Sequence, residues 1–69
     1  MTNINSILKL PEVIQATGLS RSTIYLRMAE KTFPAHIKLG RRSVGWLEKE
    51  VQEWLEQRIN ESRHEGGEQ

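Results

Sequence analysis

The sequence predicts a small, mainly α-helical domain that carries one β-hairpin. Apolar residues recur at helical spacing in three segments, and two short alternating runs flank the turn-like stretch "GRRS". The length of 69 residues leaves room for one domain. Because a chain of this size buries only about 60% of its unfolded surface, we expect function on a surface and not in a deep cleft.

The first two predicted helices are joined by a short turn that contains glycine. "LPEVIQATG" predicts a helix over Pro11–Thr17, since proline suits the first helical turn and Gly18 is typical of a helix C-terminus. Ser20 is a good N-cap for a second helix over Arg21–Lys31, whose apolar residues lie one turn apart. Two helices in this arrangement form a helix-turn-helix unit.

A β-hairpin is predicted after the second helix. Phe33 precedes a proline and therefore leaves the helical conformation. The alternating runs predict strands over His36–Leu39 and Ser43–Trp46, with "GRRS" between them. A hairpin in this position is a wing, so the predicted fold is a three-helix winged helix-turn-helix.

The segment "LEKEVQEWLEQRINES" predicts the third helix. Four apolar residues fall on one helical face at i, i+3, i+4 and i+8: Val51, Trp54, Leu55 and Ile59. We expect Trp46 and Trp54 in the core, the alternative being aromatic rings that stack on bases. The domain is predicted over residues 1–61, and the aperiodic residues 62–69 are predicted to be a disordered tail.

Charge is unevenly distributed along the chain. Residues 1–46 hold seven basic and two acidic side chains, a net charge of +5, whereas residues 47–69 have a net charge of −4. This division indicates a polyanionic partner for the first part. The alternative is a set of solvated charges that are segregated by chance.

Several classes of protein are excluded by composition. The chain has no cysteine, so neither disulfides nor thiolate metal sites are expected, and His36 and His64 lie far apart without clustered carboxylates. No catalytic or phosphate-binding motif is present, so we expect neither an enzyme nor a cofactor. The N-terminus lacks the pattern of a signal peptide and no apolar run approaches about 20 residues, which favours a cytoplasmic protein.

Four pieces of the sequence together resemble the AlpA family of small prophage regulators, relatives of phage excisionases and MerR-type winged helix-turn-helix proteins. They are "TGLSRSTIY", "FP" followed by "IKLG", "RSVGW" and "EVQEWLEQRI", and they span about residues 8–59. The resemblance implies binding of double-stranded DNA by the second helix and the wing. It implies a transcription regulator or a recombination directionality factor, with a phage integrase or a second copy on adjacent DNA as further partners.

The candidate DNA-binding residues lie on the second helix and the hairpin. A recognition helix enters the major groove N-terminus first, where arginine and short hydroxyl side chains reach bases or phosphates. The predicted contacts are Ser20, Arg21, Ser22, Thr23, Tyr25, Arg27, Lys38, Arg41 and Arg42. Which of the two adjacent hairpin arginines contacts DNA stays open, because the family pattern often has one arginine there.

Each candidate also has a purely structural interpretation. Ser20 is a helix cap in either case. The alternative for the other helix residues is a solvated face, and the alternative for "GRRS" is an ordinary polar turn. A different class of function stays open as well. In it the protein is an adaptor or antirepressor that uses exposed acids of the last helix, such as Glu53 and Glu56, to bind a basic partner.

Overall fold

The computed structural model describes residues 6–66, which form three helices and a small antiparallel sheet. The elements are β1 Ile7–Leu8, α1 Leu10–Thr17, α2 Arg21–Ala29, β2 Ile37–Lys38, β3 Val44–Leu47 and α3 Glu48–Gly66. The predicted fold, mainly helical with a β-hairpin after a helix-turn-helix unit, is confirmed. The first strand was not predicted.

Helix α1 ends at Thr17 as predicted and begins one residue earlier than predicted, at Leu10. The side chain of Glu12 accepts a hydrogen bond from the backbone N–H of Lys9 at 2.8 Å, which satisfies one of the free N–H groups at the helix start. At the other end Gly18 has φ +77°, and its N–H donates to the carbonyl of Ile14 at 2.8 Å. This left-handed residue turns the chain toward α2.

Helix α2 ends two residues earlier than predicted. Lys31 adopts φ +65°, and its N–H donates to the carbonyl of Met28. The N–H of Thr32 reaches back to the carbonyl of Arg27 at 2.8 Å. This pair of bonds is a Schellman motif, in which the left-handed position is usually glycine. No local pattern predicts this helix end, because the left-handed position holds a lysine.

The sheet has β3 in the centre, with β1 and β2 on either side. The hairpin pairs Ile37 with Gly45, and β1 pairs Leu8 with Trp46. A side chain at position 45 would collide with Ile7, so glycine lets β1 lie against the hairpin. Two residues of β1 carry too weak a local pattern to predict a strand, and only their pairing with β3 defines it.

The core lies where the two short helices, the hairpin and the start of α3 meet. Its buried members are Val13, Ile24, Phe33, Trp46 and Val51. The indole N–H of Trp46 donates to the carbonyl of Pro34 at 3.1 Å. Trp46 is therefore a core residue, as predicted.

Trp54 lies at the edge of the core and not inside it. It is half-buried, its ring packs edge-on against Phe33 with centroids 4.9 Å apart, and its indole N–H donates to the carbonyl of Thr32 at 2.7 Å. Ile59, the last residue of the predicted apolar stripe, is 47% exposed. The amphipathic pattern thus continues beyond the part of α3 that has a partner to pack against.

Helix α3 continues past the boundary predicted for the tail. The structure has helix through Gly66, whereas the sequence predicts a disordered tail over residues 62–69; residues 67–69 lie outside the described residues. An ion pair between Arg58 and Glu61 and a 2.9 Å hydrogen bond from the ring of His64 to the carbonyl of Asn60 accompany these last turns. Once nucleated, a helix extends at low cost through such polar residues. No helix within residues 6–66 is long and apolar enough to cross a membrane.

Candidate nucleic-acid interface

The first turn of α2 presents polar side chains to solvent. Ser20 accepts a hydrogen bond from the backbone N–H of Thr23 at 3.2 Å, and its hydroxyl also lies 3.0 Å from the Thr23 hydroxyl. Ser20, Arg21 and Ser22 are exposed and Thr23 is half-buried. The buried Ile24 fixes the opposite side of the helix to the core. This geometry leaves the N-terminal turn accessible to a ligand.

Tyr25 connects this turn to the sheet. The guanidinium of Arg21 lies 5.7 Å from the centroid of the Tyr25 ring. The same ring packs edge-on against His36 at 6.0 Å and Trp46 at 6.2 Å. Arg21 is thereby held on the edge of α2 that adjoins the sheet from which the wing projects.

The wing carries the second group of predicted residues. Its turn is closed by hydrogen bonds from the N–H groups of Leu39 and Gly40 to the carbonyl of Ser43, at 2.7 and 3.3 Å. The strand and turn cations are all exposed: Lys38, Arg41 and Arg42. Both adjacent arginines are accessible, so the geometry does not choose between them.

Lys9 adds a positive charge at the base of the wing that the sequence analysis did not identify. Its ammonium group lies 3.4 Å from the hydroxyl of Ser43, 34 residues later in the chain. The contact depends on the pairing of β1 with β3, which places the N-terminal segment beside the hairpin. No local signal in the sequence indicates this proximity.

Arg27 is separated from the other candidates. It is half-buried at the end of a groove of about 850 Å³ between the segment after α2 and α3, where Glu50 and Trp54 are among the lining residues. Its Nε atom is buried and has no hydrogen-bond partner among the described residues. At 100° per residue, Arg27 and Arg21 lie about 120° apart around the helix. The structure does not bring the two arginines onto one surface.

Leu26 lies on the exposed face of α2 instead. Its side chain is 57% exposed, and it follows Ser22 by four residues, one helical turn along the same face. The sequence does place Leu26 opposite the core stripe, but a leucine carries no charge or hydroxyl that would select it as a candidate contact. Helical spacing is the signal that could have identified it.

The helix N-termini also differ in electrostatics. In the described residues 6–66, α1 has Glu12 in its first turn and α3 has Glu48 and Glu50, whereas α2 has no acid there. A helix N-terminus carries roughly half a positive charge. In α2 that partial charge is not neutralised by the helix itself, and it is reinforced by Arg21.

The fold and this surface define a class of protein. A capped, exposed first turn on the second helix of a helix-turn-helix unit, with a cationic hairpin beside it, is the arrangement of a winged helix-turn-helix protein. Within residues 6–66 no cluster of three histidine, aspartate or glutamate side chains is placed to hold a metal ion.

Comparison with known proteins gives the family. Residues 6–59 match the family described as prophage CP4-57 regulatory protein (AlpA), and the chain belongs to this family. The chain is 52% identical to a protein of Escherichia coli (strain K12) named DNA-binding transcriptional activator AlpA, over 75% of this chain and 83% of that protein. It is 46% identical to the uncharacterized protein ORF88 of Enterobacteria phage P4, over 75% of this chain and 59% of that protein. The resemblance seen in the sequence is confirmed.

Proposed function

We propose that this chain binds double-stranded DNA and regulates transcription, acting in the cytoplasm as a binding protein and not as an enzyme. Helix α2 enters the major groove N-terminus first, and the wing lies along the adjacent backbone or minor groove. The name of the Escherichia coli relative, a DNA-binding transcriptional activator, supports this proposal.

The observation that carries the proposal is the exposed first turn of α2. The Ser20 cap fixes the start of the helix, Ile24 anchors its inner side, and the turn between them lacks any acidic side chain. A helix end of this kind favours an anion, and the phosphates of DNA are the anions that a helix-turn-helix unit meets.

The residues take different roles in this arrangement. Arg21 and Ser22 are the candidates for base edges, because they are exposed at the end of the helix that penetrates deepest. The hydroxyls of Ser20, Thr23 and Tyr25 are candidates for phosphate oxygens. The half-buried position of Arg27 beside Trp54 favours a structural role over a base contact.

The wing residues Lys38, Arg41 and Arg42 are proposed to bind phosphates or a narrow minor groove. Guanidinium groups suit both, by bidentate pairing with phosphate oxygens or by insertion where the potential is most negative. Lys9, beside Ser43 at the base of the wing, joins this phosphate-binding group.

A second candidate role is favoured by the length of α3. Glu53, Glu56 and Ile59 are exposed on a helix that extends beyond the core, and this surface is available to a basic protein. An excisionase-like directionality factor would use it to bind an integrase, or a second copy on adjacent DNA, while α2 holds DNA. The two roles are compatible, and only the first requires Arg21.

Titration of DNA by two arginine variants tests the proposal. Arg21→Ala should cost about 1–3 kcal/mol on a selected site and much less on a scrambled one, because a base contact carries sequence information. Arg42→Ala should weaken binding to both DNAs and reduce the slope of log affinity against log salt by about 1, since one fewer counterion is released. Arg63→Ala, which removes an exposed arginine from α3, is the matched control and should change little.

The pattern of losses decides between the alternatives. Equal losses on both DNAs for the two interface variants would contradict base recognition by Arg21. No loss for either would remove the DNA-binding proposal, and the adaptor role would then be tested with Glu53→Lys and Glu56→Lys.

A further inference from the structure

Leu26 is the most exposed large apolar side chain among the described residues. It is 57% exposed, compared with 47% for Ile59 and 44% for Leu39. A single exposed leucine is ordinary on a protein surface. The position of this one is not arbitrary, because it lies in the middle of α2 on the face that Ser22 shares and that points away from the buried Ile24.

We propose that Leu26 recognises the C5-methyl group of a thymine in the major groove. The proposal rests on the proposed entry of α2 into that groove. The thymine methyl is the one apolar group that the four base pairs present there, and burying it against a leucine removes apolar surface of both from water.

The chemistry of the side chain excludes the other base edges. Leucine has neither a donor nor an acceptor, so placing it over guanine N7 and O6, adenine N6 and N7, or cytosine N4 would dehydrate polar atoms without replacing their hydrogen bonds. A thymine methyl makes no hydrogen bonds with water, so a leucine can cover it without that penalty. Leu26 thus contributes specificity by attraction to one base and by a penalty at the other three.

The helix geometry also gives the approximate place of the thymine. Leu26 lies four residues beyond Ser22, which is about 6 Å along a helix that rises 1.5 Å per residue. Base pairs are stacked about 3.4 Å apart. Because the displacement along the DNA cannot exceed the displacement along the helix, the thymine should lie within about two base pairs of the position that Ser22 faces.

Replacement of thymine by deoxyuridine tests the inference, because it removes the methyl group and leaves base pairing unchanged. Binding sites are first selected with the full-length wild-type chain, and each thymine of the preferred site is then replaced in turn. Wild-type affinity should fall about fourfold at one position, the effect of the roughly 0.8 kcal/mol of one buried methyl. Leu26→Ala and Leu26→Gln should bind the thymine site about as weakly as the wild type binds the deoxyuridine site. Their affinity should not change when deoxyuridine replaces thymine at that position.

Leu39→Ala is the matched control, since it removes an exposed leucine from the hairpin and should keep the wild-type response to deoxyuridine. Circular dichroism melts of all variants should coincide with the wild type, because each altered side chain is exposed. If the wild type binds its selected site but responds to deoxyuridine at no position, the thymine assignment is overturned and the proposed function stands.

Two further results would also overturn the assignment. The first is an equal response of wild type and Leu26→Ala to deoxyuridine at the same position. The second is Leu26→Ala binding DNA normally while losing association with another protein, which would assign Leu26 to a protein contact. Failure of the wild type to prefer any sequence would instead refute the proposed function.

Discussion

Helices α2 and α3 differ in whether acidic side chains compensate the positive charge at their N-termini. Helix α2 begins after the neutral cap Ser20 and has no acid in its first turn, whereas α3 begins with Glu48 and Glu50. The acids of α3 stabilise the positive end of that helix internally. The positive end of α2 is therefore left uncompensated by the helix's own side chains, whereas that of α3 is compensated.

The two helices also differ in how much of their length packs against the core. The nine residues of α2 are held by the buried Ile24, with Ser22 and Leu26 exposed on the other side. The 19 residues of α3 contact the core through Val51, Trp54 and Leu55 and then extend away from it. A short, firmly anchored helix can present side chains with defined geometry, whereas α3 supports the fold with its first half.

The largest expected effect comes from replacing one isoleucine by alanine in each helix, which compares how firmly α2 and the end of α3 are packed against the core. Ile24→Ala should lower the free energy of unfolding by about 2–5 kcal/mol, because it leaves a cavity at a site with no exposure. Ile59→Ala should change it by less than about 0.5 kcal/mol, since that side chain is largely in solvent. Urea titrations followed by circular dichroism measure both, and similar losses would show that α3 is anchored over its whole length.

An intermediate effect tests the electrostatic difference directly. Ser20→Asp keeps a side-chain cap and adds an acid at the start of α2, so stability should be unchanged or slightly increased. DNA affinity should nevertheless fall about tenfold, because like charges then face each other across the interface.

Ser20→Ala is the control for loss of the cap. It should cost about 1 kcal/mol of stability and weaken DNA binding less than aspartate does. Thermal melts and DNA titrations on the same preparations separate the two effects. Unchanged affinity of the aspartate variant would mean that this helix end does not meet a phosphate.

The smallest effect is expected at the far end of α3. Deletion of residues 62–69 should change the free energy of unfolding by less than about 0.5 kcal/mol, because residues 62–64 are exposed. The helical circular dichroism signal should decrease, and DNA affinity should stay the same or rise slightly, since the deleted segment has a net charge of −1. A large loss of stability would show that this segment packs against the domain.

Elements with a strong local pattern were predictable, and those that depend on distant pairing were not. Ser20 and Gly18 indicated the start of α2 and the end of α1, because caps act on neighbouring backbone groups. The sequence predicts the end of α2 two residues too late, since the left-handed residue there is Lys31 and not glycine. Strand β1 escaped prediction because Ile7 and Leu8 are ordered by β3, nearly 40 residues later.

The candidate interface shows the same division. Exposure of Arg21, Ser22 and the wing cations followed from helical spacing and from their place in a polar turn. The burial of the Arg27 Nε atom, and the approach of Lys9 to Ser43, follow from how elements pack on one another. Residue type alone ranks two arginines of one helix alike, whereas packing distinguishes them.

The sequence by itself determined the order of the helices and the hairpin, the capped start of α2, and the division between a basic first part and an acidic α3. Each of these depends on neighbours within about one helical turn or one hairpin, where side-chain periodicity and backbone preferences act locally. Only the tertiary structure decided how far particular side chains are buried. The half-buried position of Trp54 and the burial of the Arg27 Nε atom in a groove beside α3 result from competition among elements for one small core. That competition depends on contacts between residues far apart in the chain.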